Sequence, residues 1–95
     1  MGFCVYIIYS PSVDQFYVGQ TADLKERLSQ HNSAFFEGSS TKKGIPWLLF
    51  FSLECCSISQ SIAIESHIKK MKSRKYYQSL VKYPEIAEKL VKRFG

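Results

Sequence analysis

The chain has 95 residues, which is the length of one small domain and leaves no room for a second. Hydrophobic residues make up 45% and aromatic residues 15%, which allows a modest core and excludes a disordered chain. The formal charge of +5 is compatible with a polyanionic partner, although many proteins without such a partner carry a similar surplus. We therefore expect a single domain over residues 1–95.

The first residues and the cysteines bear on the cellular compartment. No basic region followed by an apolar stretch opens the chain, so no signal peptide is predicted, and no apolar run is long enough to span a membrane. Cys4, Cys55 and Cys56 match no zinc or disulfide spacing, and each lies in an apolar run. We expect buried free thiols, a cytoplasmic location and no membrane partner.

The predicted elements begin with two strands. Residues 3–9 (FCVYIIY) are aromatic and β-branched without polar alternation, which is typical of a strand covered on both faces. SPSVD contains turn-forming Ser and Pro, and QFYVG then predicts a second strand that ends at Gly19. Two strands joined by so short a turn form an antiparallel hairpin.

A helix, a loop, a third strand and further helices follow. The first helix is predicted over TADLKERLSQHN (21–32), with Asp23 or Thr21 as its N-cap. Residues 33–46 predict a loop, residues 47–56 (WLLFFSLECC) a third strand, residues 57–75 a long helix, and Pro84 the start of a last helix. This order, β-β-α-β-α plus a C-terminal helix, predicts an α+β fold with a three-stranded antiparallel sheet flanked by helices.

Tyr6 and Tyr17 lie on the two strands of the hairpin. If SPSV forms a four-residue loop, Tyr6 pairs with Tyr17, and the two phenols share one face of the sheet. A shift of one residue would separate them. Because tyrosine is a good strand former and packs well on another tyrosine, a purely structural role remains open.

Arg27 and His31 are four positions apart and therefore lie on one face of the first helix. That face borders the leucines that point toward the core. The helix starts soon after Gly19, so its N-terminal half is expected near the end of the hairpin that carries Tyr17. The alternative is that both side chains are solvent-exposed on a surface helix.

Glu65 is a carboxylate on the predicted apolar face of the long helix. The other members of this face are Ile58, Ile62, Ile64, Ile68 and Met71. A carboxylate in such a place is costly unless it is paired or binds a metal. Either Glu65 pairs with Lys69, four residues on, or it enters a polar pocket between helix and sheet and meets the tyrosines and the arginine.

Taken in order, these residues resemble the GIY-YIG nuclease family. The resemblance lies in VYI, in YVG with its tyrosine eleven positions after the first, in DLKERLSQHN and in the helix with IES, and it extends to about Leu80. The run ESHIKKMKSRKYYQSLV is similar to the glutamate helix of the small single-domain bacterial members. The positions that match the family's functional residues are Tyr6, Tyr17, Gly19, Arg27, His31 and Glu65.

The resemblance implies a metal-dependent endonuclease that hydrolyses phosphodiester bonds in DNA, including branched or damaged DNA, with RNA left open. It implies Mg²⁺ or Mn²⁺ on Glu65 and a phosphate oxygen on Arg27. We favour Tyr6 as general base, its pKa lowered by nearby cations, with Tyr17 bonding the phosphate or the water. His31 would orient Tyr6 or relay its proton. Which phenol is the base stays open.

Other positions bear on substrate choice. Cys4 replaces the glycine of the first motif, and Gln20 stands where the incision nucleases of excision repair carry a lysine. Some members use a late asparagine, whereas Asn32 is the only asparagine here. These departures, without a recognition domain, predict little sequence specificity.

A basic run follows Glu65 along the chain. Its members expected to hold backbone phosphates are Lys69, Lys72, Arg74 and Lys75. The alternative is a solvated helix end whose cations complement the helix dipole. For the chain as a whole, the alternative function is a module that binds nucleic acid in the same cleft without cutting it.

Overall fold

The computed structural model describes residues 2–33 and 44–95. Its elements are β1 (Phe3–Ser10), β2 (Gln15–Thr21), α1 (Leu24–Asn32), β3 (Leu48–Cys55), α2 (Ile58–Met71), α3 (Arg74–Lys82) and α4 (Pro84–Phe94). The strands form an antiparallel sheet in the order β2-β1-β3. This confirms the predicted α+β fold. Most of the loop predicted over residues 33–46 lies outside the described residues.

β1 is the central strand, and successive side chains point to opposite faces of the sheet. We call the face that packs against α2, α3 and α4 the core face; its buried residues are Val5, Ile7, Val18, Cys55, Ile64, Ile68, Leu80 and Leu90. We call the opposite face, covered by α1 and the residues before β3, the tyrosine face; its cluster comprises Tyr6, Ile8, Trp47, Tyr17, Leu24, Leu28 and Ile45. β1 is therefore covered on both sides, as predicted.

The register of the hairpin differs from the predicted one by two residues. Tyr6 lies opposite Gly19, and Tyr17 lies opposite Ile8. The direct pairing of Tyr6 with Tyr17 is therefore wrong, although a shift of two keeps both on the same face. The cause is Asp14, which adopts a left-handed conformation (φ 52°) that aspartate tolerates, and so ends the turn instead of starting β2.

The long helix predicted over residues 57–75 is two helices. α2 ends because Lys72 is left-handed (φ 44°), and Ser73 then caps α3 by accepting a hydrogen bond from the N–H of Tyr76. α1 has Asp23 as its N-cap, whose side chain accepts from the N–H of Glu26. α4 begins at Pro84, as predicted.

The predicted apolar face of α2 is only partly buried. Ile64 and Ile68 are fully buried, whereas Ile58, Ile62 and Met71 are exposed. α2 therefore contributes a narrower apolar stripe to the core than the helical wheel predicts.

The cysteines and the helices bear on the expected compartment. All three cysteines are free thiols; Cys55 is buried and Cys4 half-buried, but Cys56 is exposed, contrary to expectation. In the part of the chain that the structure describes, no helix has both the length and the apolar character to cross a membrane.

Candidate active site

Tyr6 lies almost fully buried on the tyrosine face, with 2% of its surface exposed. Its ring crosses Gly19 on β2: a Cβ atom at Gly19 would lie 2.5 Å from the Tyr6 hydroxyl oxygen and 2.6 Å from Cζ. Only glycine leaves this path open. Because β2 is at an edge of the sheet, Tyr6 extends its hydroxyl from the central strand toward that edge.

His31 joins the two tyrosines. The Tyr6 hydroxyl lies 3.0 Å from His31 Nε2, and the Tyr17 ring packs edge-on against the imidazole with 5.1 Å between ring centres. His31 is 2% exposed and belongs to the last turn of α1, so the end of this helix closes over the hairpin. The two phenols therefore meet through the histidine instead of directly.

Burial moves the pKa values of Tyr6 and His31 in opposite directions. Burial is the main cause that raises the pKa of Tyr6, and the neighbouring Tyr17 raises it further. The positive charge of Arg27 only partly opposes this rise. The expectation that nearby cations lower the pKa of Tyr6 is therefore wrong for this structure. Burial, assisted by Arg27, lowers the pKa of His31 and favours neutral imidazole. When the neutral imidazole carries its proton on Nδ1, Nε2 accepts the hydrogen bond of the protonated phenol.

Arg27 and Glu65 lie on different helices and both influence Tyr6. Arg27 is half-buried, one turn before His31, and its positive charge acts on the pKa of both Tyr6 and His31. The negative charge of Glu65 raises the pKa of Tyr6. The Tyr6 hydroxyl thus contacts His31, Tyr17 packs on the same imidazole, and the charges of Arg27 and Glu65 act on Tyr6.

Glu65 is partly exposed on α2 and is not enclosed by the apolar side chains of the predicted face. Its side chain is 19% exposed, and its Oε2 lies 3.4 Å from Lys69 Nζ. The ion pair with Lys69 is therefore present, and the negative charge of Glu65 also acts on Tyr6; a pocket shared with the tyrosines and the arginine stays a prediction.

A metal ion here would receive few protein ligands. Among residues 2–33 and 44–95, no three His, Cys, Asp or Glu side chains come together as a ligand group. Mg²⁺ is commonly held by one or two carboxylates while it keeps several waters. A partly exposed Glu65 beside Tyr6 fits that ligand set.

The sequence pattern of the GIY-YIG catalytic domain matches residues 2–78. The chain belongs to the GIY-YIG family. Domains of this family are generally nucleases, so the chain carries the catalytic domain of a family of hydrolases. The matched region includes the whole tyrosine face and ends within α3. Neither a curated protein nor a solved structure matches the chain.

The members of the basic run differ in their contacts in this GIY-YIG domain. Lys69 pairs with Glu65, while Lys72 and Lys75 are exposed around the α2–α3 corner. Arg74 donates to Asp14 Oδ1 (2.9 Å) and to the Asp14 carbonyl oxygen. Arg74 thus ties α3 to the hairpin turn, and its predicted phosphate contact stays a prediction.

Trp47 and Asn32 of the GIY-YIG domain were not predicted as site residues. The Trp47 ring packs on Tyr17, and the Asn32 side chain bonds the backbone of Trp47. The available signals were that Trp47 is the only tryptophan and Asn32 the only asparagine. Neither signal says that the two residues meet, because the contact joins residues that are 15 positions apart in the sequence.

Proposed function

We propose that this GIY-YIG domain is a divalent-metal-dependent endonuclease that hydrolyses phosphodiester bonds in DNA with little sequence preference. The observation that supports it best is the Tyr6 hydroxyl, which bonds His31 and lies within the influence of Arg27 and Glu65. Phosphodiester hydrolysis needs an acceptor for the proton of water, a cation for the phosphate and a carboxylate for a metal ion. Tyr6 with His31, Arg27 and Glu65 would supply these three groups in turn.

Tyr6 and His31 supply a path for the proton. The raised pKa of Tyr6 keeps the phenol protonated, and neutral His31 with its proton on Nδ1 would accept the phenol's hydrogen bond at Nε2. As the attacking water transfers its proton to the Tyr6 oxygen, the phenol passes its own proton to His31 Nε2. The phenol thus acts as base without a lowered pKa, because no free phenolate has to form. Tyr17, in contact with the imidazole, would hold the water or the phosphate.

Arg27 supplies positive charge beside this path. Its guanidinium is a forked donor suited to a phosphate oxygen, and its influence on Tyr6 would place that phosphate next to the proton acceptor. Glu65 would hold Mg²⁺ or Mn²⁺, which when bound supplies stabilisation of the negative charge on the phosphoryl oxygens. Lys72 and Lys75 would hold the nucleic-acid backbone.

Incubation of the purified chain with supercoiled plasmid, branched DNA and RNA, each with Mg²⁺, Mn²⁺ or EDTA, tests the proposal. We expect nicking of DNA with either metal and none with EDTA. A chain that binds DNA with steep salt dependence but never cuts it would support the non-catalytic binding module instead.

Glu65→Gln separates the metal-ligand role from the ion pair. Lys69→Gln is the matched control, because it breaks the same pair and leaves the carboxylate. Both variants should lose about 0.2–0.5 kcal/mol of stability, as expected for a helix pair. Glu65→Gln should abolish nicking while DNA binding persists, whereas Lys69→Gln should still cut. Parental cleavage by Glu65→Gln in Mg²⁺ would refute the assignment.

A further inference from the structure

Asn32 and Trp47 form a clamp at the edge of the tyrosine face. The Asn32 side chain donates through Nδ2 to the Trp47 carbonyl oxygen (2.9 Å) and accepts through Oδ1 from the Trp47 N–H. One side chain thereby satisfies both backbone groups of Trp47, as a neighbouring strand would. This joins the last residue of α1 to the segment that leads into β3.

The Trp47 ring, like its backbone, is closely packed against its neighbours. It is 4% exposed, and a Cβ atom at Gly44 would lie 2.3 Å from its Cζ2 and 2.6 Å from its Cε2. Glycine at that position thus makes room for the indole. On its other side the indole packs on the Tyr17 ring, with 6.3 Å between ring centres.

The clamp reaches the candidate active site by two routes. Asn32 directly follows His31, so a bond that fixes Asn32 also fixes the end of α1 that carries the imidazole. By the second route, the Trp47 indole packs directly on the Tyr17 ring. Tyr17 packs against both His31 and Trp47, so its ring lies between the two ends of the clamp.

We propose that Asn32 and Trp47 are positioning residues of the reaction: they hold the Tyr17 ring against His31 and so fix the phenol that contacts the water or the phosphate. This inference rests on the proposed endonuclease function. A displacement of about 1 Å at a reacting group lowers turnover by up to about 100-fold. Loss of the clamp should therefore reduce kcat and leave KM nearly unchanged.

Asn32→Asp tests the clamp with a minimal change of shape. The new carboxylate keeps an acceptor for the Trp47 N–H but sets a second oxygen against the Trp47 carbonyl, where a donor was. Because Trp47 is the only tryptophan, its fluorescence reports this site alone. We expect a red shift, quenching by acrylamide that rises about twofold, and a kcat about 10-fold lower with KM within about twofold.

Two further variants separate positioning from stability. Leu80→Ala, on the core face, should destabilise the fold and leave kcat and Trp47 quenching at parental values well below the melting temperature. Trp47→Phe keeps an aromatic ring beside Tyr17 and should retain most of kcat, whereas Trp47→Ala should lose it.

Three results would overturn the inference. They are parental kcat in Asn32→Asp, a rise of KM alone, or a kcat loss in Leu80→Ala equal to that in Asn32→Asp. The proposed function fails in a different way: the parental chain then cuts nothing with either metal, and the positioning role falls with it.

Discussion

On the core face, β1 contributes Val5 and Ile7, which pack against apolar side chains of α2 and α3. Between these two residues on the same strand, Tyr6 points to the tyrosine face, where its hydroxyl must meet His31 across the bare backbone of Gly19. The first contacts require matching volume and tolerate small changes of shape. The second require particular atoms at particular distances. A chain of 95 residues can therefore separate stability from chemistry across the thickness of one sheet.

Ile64→Ala should cause the largest loss of stability on the core face. Ile64 is fully buried on α2, and truncation of such a side chain typically costs about 2–5 kcal/mol. Chemical denaturation measures the loss, and Ile62→Ala is the matched control because Ile62 is exposed on the same helix. Below the melting temperature, cleavage per folded molecule should stay within about twofold of the parent. If cleavage per folded molecule instead falls well beyond about twofold, the two faces of the sheet are coupled.

Arg27→Ala should have the reverse effect on the tyrosine face. Removing one donor that stabilises charge in the transition state typically lowers the rate by about 10²–10³-fold. Arg27 is half-buried at the helix margin, so little packing is lost and the melting temperature should barely change. Single-turnover cleavage and thermal melting measure the two effects, with the exposed Lys25→Ala on the same helix as control. Melting far below the parent would make Arg27 a structural residue.

Gly19→Ala should damage the tyrosine face by crowding. The added Cβ would lie 2.5 Å from the Tyr6 hydroxyl oxygen, and overpacking of this kind typically costs about 1–3 kcal/mol. Tyr6 would move away from His31, and cleavage should fall as well. In a Tyr6→Ala background the ring is absent, so the same glycine substitution should cost little. Equal losses in both backgrounds, measured by chemical denaturation, would exclude the ring as the cause.

The residues that could be predicted from sequence are those set by short-range periodicity. Alternation along β1 and helical spacing placed Tyr6, Tyr17, Arg27 and Glu65 on the right elements, and the structure brings them together. The hairpin register could not be predicted in the same way. It depends on the conformation of Asp14, which Arg74 holds from 60 residues away.

The direction of the pKa shift of Tyr6 likewise could not be predicted from the sequence. The pattern showed cations nearby, but the direction of the shift is decided by burial. That burial is produced by α1 and by Trp47, which packs on the tyrosine face from a distant part of the sequence. Local periodicity contains no information on such a contact.

The smallest expected effect distinguishes the two roles of Arg74. In the structure Arg74 bonds Asp14 and lies over the Phe16 ring at 5.4 Å from its centre, so it ties α3 to the hairpin turn. Both partners of the ion pair are well exposed, and such pairs contribute little. Arg74→Ala should lower the melting temperature by a few degrees at most.

Asp14→Asn is the matched change for this test, because asparagine also tolerates the left-handed conformation and removes only the charge. If Arg74 acts through Asp14, the two variants should lower the melting temperature similarly, and the double variant should add little. The salt dependence of DNA binding should then keep its parental slope in both. If Arg74 instead holds a phosphate, Arg74→Ala alone should reduce that slope by about one, while Asp14→Asn frees the guanidinium and strengthens binding.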